Sequence, residues 1–287
     1  MRIRATVAVA TGALALSALA VPATQAAPAD DRPGVPSYGS ATHRSPAAAP
    51  KARAGEGGEA GEAPVISKAV VNGGKPIIVG AKAVKKVTVS ITASHPSGIT
   101  DADAIIWTGA SVDDPESFGF GSTGPTSCVA ANATTSTCTQ TIEIDPTWLL
   151  NSDSKGWNVG VWVTSKDTYS AQNDKFGRTN LQRLAKLDVN AAPEPVAKGG
   201  TITITGKLTR ANWETGTYKG YATQSVKLEF RKSTSTAYTS VKGVKTSSTG
   251  TLKTTSKATV DGYWRWNFAG TSTTPAIIPA GDFVDVR

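Results

Sequence analysis

Histidine is nearly missing from this 287-residue sequence: only His43 and His95 occur. A nucleophilic serine or cysteine needs a base within hydrogen-bond reach, and imidazole is the usual one. His43 lies in a segment with little apolar bulk, His95 precedes Pro96 in a turn, and no Gly-x-Ser-x-Gly elbow is present. We therefore read His95 as a turn residue. Cysteine is as scarce, with Cys128 and Cys138 alone, so a zinc site of clustered Cys and His ligands is excluded. No glycine-rich phosphate loop follows a strand. No apolar run of spanning length occurs beyond the N-terminal segment. The sequence has no recognisable catalytic centre and is read as that of a non-enzyme, with no cofactor.

The one long apolar run is at the start. Arg2 and Arg4 precede residues 5–21, which hold Val7, Val9, Leu14, Leu16 and Leu19 among small residues. Ala23, Thr24, Gln25 and Ala26 follow, with small residues at the two positions a signal peptidase reads. Positive, apolar and cleavage regions in that order are a secretory signal over residues 1–26. Cleavage falls after Ala26, with Ala27 as the alternative. The run is Ala-rich and short for a span, which argues against a transmembrane anchor. Its Arg-Ile-Arg lead favours the general export route over the twin-arginine one. The expected location is secreted and extracellular, with cell-wall association as an extension of it. In an exported chain an even pair of cysteines reads as a disulfide, so Cys128 and Cys138 are expected to staple a hairpin. Loop closure of that size is worth about 2–3 kcal/mol.

Net charge is +8, and it is uneven. Residues 64–186 hold eleven basic and ten acidic residues, whereas residues 187–287 hold thirteen and seven. Such a field favours acidic partners: an anionic cell-wall polymer, a polysaccharide, or another extracellular protein. The alternative is a solvated lysine-rich face, which also blunts strand edges against aggregation. Nucleic acid is excluded as a partner by the lack of any helix-turn-helix, finger or RNA-binding signature.

Residues 27–63 are rich in Ala, Pro, Gly and Glu and read as a disordered leader. From residue 64 the pattern turns to strands. Val87, Val89 and Ile91 alternate with Lys86, Thr88 and Ser90, a period of two. Trp157, Val159, Val161 and Val163 do the same, with Trp162 on the opposite face. After residue 187, Ile202 and Ile204, then Val226 and Leu228, then Trp264, Trp266 and Phe268 each share a face, with Asp261-Gly262 as a hairpin turn. The fold class is all-β: two tandem immunoglobulin-like β-sandwich domains, over residues 64–186 with the disulfide and over residues 187–287 with the basic excess.

The second of these carries a likeness. Pro193-Glu194-Pro195-Val196, then Gly199-Gly200-Thr201-Ile202-Thr203-Ile204-Thr205-Gly206-Lys207-Leu208, then Val226-Lys227-Leu228-Glu229-Phe230-Arg231, Tyr238, and Asp261-Gly262-Tyr263-Trp264-Arg265 resemble the bacterial Ig-like repeats of secreted actinobacterial proteins. The resemblance covers residues 190–287. It implies a sandwich used as spacer, adhesion unit or carbohydrate-contacting appendage, and says little about activity. Residues 94–99 are similar to a turn that often has Asp where this chain has His95, a departure that weakens a metal role there.

Two groups of side chains stand as binding candidates. Asp101, Asp103, Asp113, Asp114 and Glu116 surround one strand and its loop, and oxygen-rich loops of this kind can hold calcium; plain turn formation is the alternative. Trp213, Tyr218 and Tyr221 lie in a Gly/Thr-rich segment, and Trp162 opposes the valine face. Exposed together, these rings would stack on sugars; loop packing is the other reading. The function expected from the sequence is a secreted structural or interaction protein of the extracellular space or cell wall. A carbohydrate-binding protein using exposed aromatics is the alternative, and a calcium-binding extracellular protein a further one.

Overall fold

The computed structural model describes Arg32, residues 34–36 and residues 62–287. The export signal expected over 1–26 and most of the leader expected over 27–63 lie outside the described residues.

The first sandwich is built from β1 (Val65–Val71), β2 (Ile77–Val79), β3 (Lys85–Ser94), β4 (Ile99–Thr108), β5 (Phe118–Phe120), β6 (Ser127–Ala130), β7 (Thr135–Ile144), β8 (Gly156–Ser165) and β9 (Ser170–Arg183). One sheet runs β1-β3-β7-β6 and the other β2-β9-β8-β4-β5. All pairings are antiparallel except β2 with β9. Alternation places the core: Val87, Val89 and Ile91 of β3 are buried, as are Trp157, Val159, Val161 and Val163 of β8. Trp157 sits against Phe118 and Phe120 at 5.7 and 5.9 Å between ring centroids. Its indole N–H donates to the carbonyl of Asp153 at 2.9 Å, so the buried polar atom is satisfied. Cys128 and Cys138 face each other across β6 and β7 and are disulfide-bonded, as the sequence led us to expect.

The second sandwich comprises β10 (Ala185–Leu187), β11 (Asn190–Ala192), β12 (Thr201–Asn212), β13 (Thr217–Gly220), β14 (Ser225–Lys232), β15 (Thr239–Lys245), β16 (Thr251–Lys257), β17 (Gly262–Asn267) and β18 (Asp282–Val284). β12 is the hub of one sheet and pairs with β10, β11, β13 and β16; the other sheet runs β15-β14-β17-β18. β10 is already hydrogen-bonded to β12, so the change of sheet system falls between Arg183 and Ala185, just ahead of the position expected from the sequence. Ile202, Ile204, Leu208, Val226, Leu228, Trp264, Trp266 and Phe268 form the core. Trp266 reaches across it and donates to the carbonyl of Thr205 at 2.9 Å. Gly206 makes that reach possible: a β-carbon there would come within 2.6 Å of the indole nitrogen.

The two sandwiches share a junction built by β12 itself. Its even positions, Ile202 to Leu208, face its own core, while Ala211 and the following Trp213 enter the core of the first sandwich. Trp213 donates from its indole N–H to the carbonyl of Gly80 at 2.9 Å. Asn151 binds Glu214 through both its backbone and side-chain N–H groups, at 3.0 and 2.6 Å. Arg183 is buried and donates to the carbonyl of Ala211 at 2.5 Å. Its guanidinium is pushed down to about 10 by burial first and by the neighbouring Arg210 charge second; it stays protonated at neutral pH. From the other side, Asn180 and Gln182 donate to the carbonyls of Thr271 and Ser272 in the turn after β17.

Candidate interaction surface

The aromatic residues singled out in the sequence do not make a common exposed surface. Trp213 is only 3% exposed. Tyr218 is half-buried beside it, with the Lys186 ammonium 3.8 Å above its ring. Tyr221 is half-buried against Phe268, with the Arg210 guanidinium 3.8 Å above its ring. All three pack at the junction of the sandwiches. A long strand passing from one sandwich to the next buries alternate residues in different cores, so a Trp in a Gly/Thr-rich context need not be a surface ring. Trp162 does point outward on β8, paired with Asp103 of β4 and Gln172 of β9. It stands six residues along from Gly156, about 20 Å at strand rise, and away from the junction rings.

The acidic group is also dispersed. Asp101 and Asp103 lie at the start of β4, where each accepts the backbone N–H of the next residue at 2.8 Å. Asp103 is buried. Asp113, Asp114 and Glu116 follow the far end of the same ten-residue strand, roughly 17 Å beyond Asp103 along the extended backbone. There Asp114 accepts the N–H of Glu116 at 2.9 Å, a side-chain turn. An extended strand keeps residues near in sequence far apart in space, and so it separates the two halves of the expected calcium set. Among the described residues, no group of three or more His, Cys, Asp or Glu side chains is placed to hold a metal ion.

His95 is buried in its turn. Its Nε2 is 2.6 Å from the carbonyl of Glu62, and its Nδ1 is 2.8 Å from Ser97 Oγ and 3.4 Å from Asp167. Because a carbonyl only accepts, Nε2 carries the proton. Serine and carboxylate thus share one side of the ring, which is not the relay of a serine nucleophile, where the two lie on opposite nitrogens. The imidazole pins the start of β1 to the turn.

The sheet β15-β14-β17-β18 carries a different constellation on its outer face. While Val226 and Leu228 of β14 and Trp264 and Trp266 of β17 turn inward, Lys227, Glu229 and Arg231 and Tyr263, Arg265 and Asn267 turn outward. The register puts them opposite one another: Lys227 with Asn267, Glu229 with Arg265, and Arg231 with Tyr263. Two of these pairs interact directly, Glu229 with Arg265 and Arg231 with Tyr263. Glu229 accepts from Arg265 Nε at 2.8 Å and from Asn267 at 2.7 Å. The Arg231 guanidinium lies 3.7 Å above the Tyr263 ring, and that of Arg265 lies 3.6 Å above Tyr238. Phe283 of β18 packs on Tyr263 at 5.1 Å and stays 37% exposed. Burial works to raise the Glu229 carboxyl. The hydrogen bonds from Asn267 and Arg265, with the charges of Arg265 and Lys227, outweigh it and hold the group below the usual carboxylate range.

This ladder of alternating rings and guanidiniums holds two arginines in fixed orientation on the more basic sandwich. A guanidinium pre-oriented by a ring loses less entropy when it takes a carboxylate or phosphate. An exposed ring beside it offers an apolar face to a sugar. The sequence pattern that encodes it is the complement of the one read first: the positions between Val226 and Leu228, and between Trp264, Trp266 and Phe268.

The model of a family of unknown function (DUF5707) matches residues 79–163, a stretch inside the first sandwich that leaves the second outside. No curated protein matches the chain. Among solved structures, it is similar to a stretch of titin domains, at 10% identity and a TM-score of 0.24, over 77% of this chain and 66% of that one. It is similar to a 1.5-MDa bacterial ice-binding adhesin, at 10% identity and a TM-score of 0.25, over 79% and 66%. It is similar also to the full ectodomain of mouse nectin-like molecule 4, at 14% identity and a TM-score of 0.24, over 79% and 65%. The chain spans slightly less than two thirds of the length of these structures. At these TM-scores the likeness carries nothing about ligand or activity.

Proposed function

We propose that this protein is a non-enzymatic interaction protein of the extracellular space or cell wall. In this reading the two sandwiches form a spacer that presents the outer face of β15-β14-β17-β18 to an acidic polymer. The observation that carries it is the ladder Phe283–Tyr263–Arg231 with Tyr238–Arg265, on the sandwich with the basic excess. The export signal read at the N-terminus and the disulfide support the compartment. Among the described residues no helix is long and apolar enough to cross a membrane. The test is co-sedimentation of the mature protein with isolated cell wall over a salt series. Retention is expected at low salt, weakening as salt screens the pairing. Replacing Arg231 and Arg265 together by Ala is expected to weaken it roughly tenfold or more, since hydrogen bonds to charged groups contribute about 1.5–3 kcal/mol. No retention at any salt, or retention unchanged in the double variant, would count against the reading.

A second reading is favoured by the exposure of Phe283: neutral polysaccharide bound by ring stacking. It predicts binding that is insensitive to salt and lost in Phe283→Ala. A soluble-glycan titration in which that variant binds as the parent does would dismiss it.

A further inference from the structure

Part of the leader is in contact with the first sandwich. The Nη2 of Arg32 lies 2.6 Å from Asp153 Oδ2, in a pair whose side chains are 14% and 5% exposed. The same guanidinium lies 3.8 Å above the ring of Phe118. Asp153 is held for this contact. Its Oδ2 also accepts the backbone N–H of Leu150 at 2.8 Å, and its carbonyl accepts the Trp157 indole. A carboxylate that buried is costly without a cation beside it. Four residues on, Pro36 lies over β5 and the glycine after it. The run Phe118-Gly119-Phe120-Gly121 sends its phenylalanines into the core and leaves no side chain on the other face. A β-carbon at Gly121 would meet Cβ of Pro36 first, at 3.0 Å, whereas one at Gly119 would meet the Ile106 carbonyl at 2.9 Å and Trp107 at 3.0 Å before Cδ of Pro36 at 3.3 Å. Gly121 thus makes room for the proline beside Gly119, and the carboxylate and ring receive the arginine.

We propose that the first sandwich carries a peptide-docking slot, formed by Asp153, Phe118, Gly119 and Gly121, and that its occupants are Arg32 and Pro36 of the chain's own leader, bound in cis. The slot recognises an arginine followed four residues later by a proline. Charge complementarity selects the arginine, and the glycine-lined face selects the flat, pre-set ring of proline. Residues 37–61 separate Pro36 from Glu62, so a cut anywhere in that interval would leave the N-terminal piece attached without a covalent link. Attachment through one chain raises the effective concentration of the occupant to about the millimolar range, which sets how tightly a competing segment must bind to displace it.

The test uses the full mature chain with a specific protease site placed in residues 45–50. After cleavage, the N-terminal fragment is expected to co-elute with the body on size exclusion at the mass of one copy. A synthetic peptide of residues 29–38 is expected to displace it, and the same peptide carrying Arg32→Ala to do so roughly ten- to a hundredfold less well. Gly121→Val is expected to release the fragment while leaving cooperative unfolding of the body in place. Should that variant fail to fold, Arg32→Ala, which alters nothing in the sandwich itself, decides the matter. A fragment that separates from the parent body, or that is retained equally with Arg32→Ala, overturns the slot; a mass of two copies overturns the cis assignment.

Discussion

Glu229 shows what a single side chain contributes on the ladder face. It is the one carboxylate among Lys227, Arg231 and Arg265, and two of its neighbours bond it directly. Its folded-state pKa is lowered, so the ionised form favours the folded state. The stability this supplies is fully present above the unfolded value, near 4.3, and is lost as pH falls through the folded value. We therefore expect the parent to lose more thermal stability between pH 7 and pH 3 than Glu229→Gln does, measured as the shift in Tm. Equal shifts would mean that the carboxylate is not coupled to folding. Arg231 and Arg265 gain from the same cluster, because each is stacked on a tyrosine and one is bonded to Glu229. Nothing in the composition announces this, since one carboxylate and four cations in two short strands read as ordinary solvated charge.

Strands whose two faces have distinct environments were legible, and strands that serve two neighbours were not. The alternations of β3, β8, β14 and β17 were apparent because apolar and polar residues trade places every second position. β5 is different. Its Phe-Gly-Phe-Gly run sits in what reads as a polar loop, and its glycines look like turn residues until Pro36 is seen against them. β12 is the other case, since its even residues mark one core while Ala211 and Trp213 belong to another. A periodicity reading assigns each strand one buried face and cannot say whose core the second face meets. The hairpin of β6 and β7 was legible for a chemical reason, an even pair of cysteines in a sequence read as exported. Joining directly opposed residues, the disulfide constrains the unfolded chain over a short loop. Replacing Cys128 and Cys138 together by Ala should lower the unfolding free energy by about 2–3 kcal/mol, read from guanidinium midpoints. A midpoint that does not move would show that hydrogen bonding alone holds the edge strand β6.

At the scale of the molecule, the question is whether the two sandwiches behave as one body. Tandem sandwiches joined only by a linker unfold separately and reorient freely. Here the junction is a side-chain plug with hydrogen bonds around it: Trp213 inside the first core, Asn151 bound twice to Glu214, Arg183 on the carbonyl of Ala211, and the turn over residues 271–274 receiving Asn180 and Gln182. A spacer that presents the ladder at a fixed distance and angle from the first sandwich requires such coupling; a flexible pair of modules does not. Trp213→Ala removes the plug and leaves each sandwich its own strands. Truncating a buried Trp costs about 3–5 kcal/mol, and because the indole comes from a strand of the second sandwich and is buried in the core of the first, that loss falls on the first sandwich and on its coupling to the second. The parent should unfold in one calorimetric transition and the variant in two, with small-angle scattering showing a broader distribution of lengths for the variant. Two transitions already in the parent would mean that the plug does not couple the sandwiches, and the spacer reading would then lose its mechanical basis even if the ladder binds its polymer.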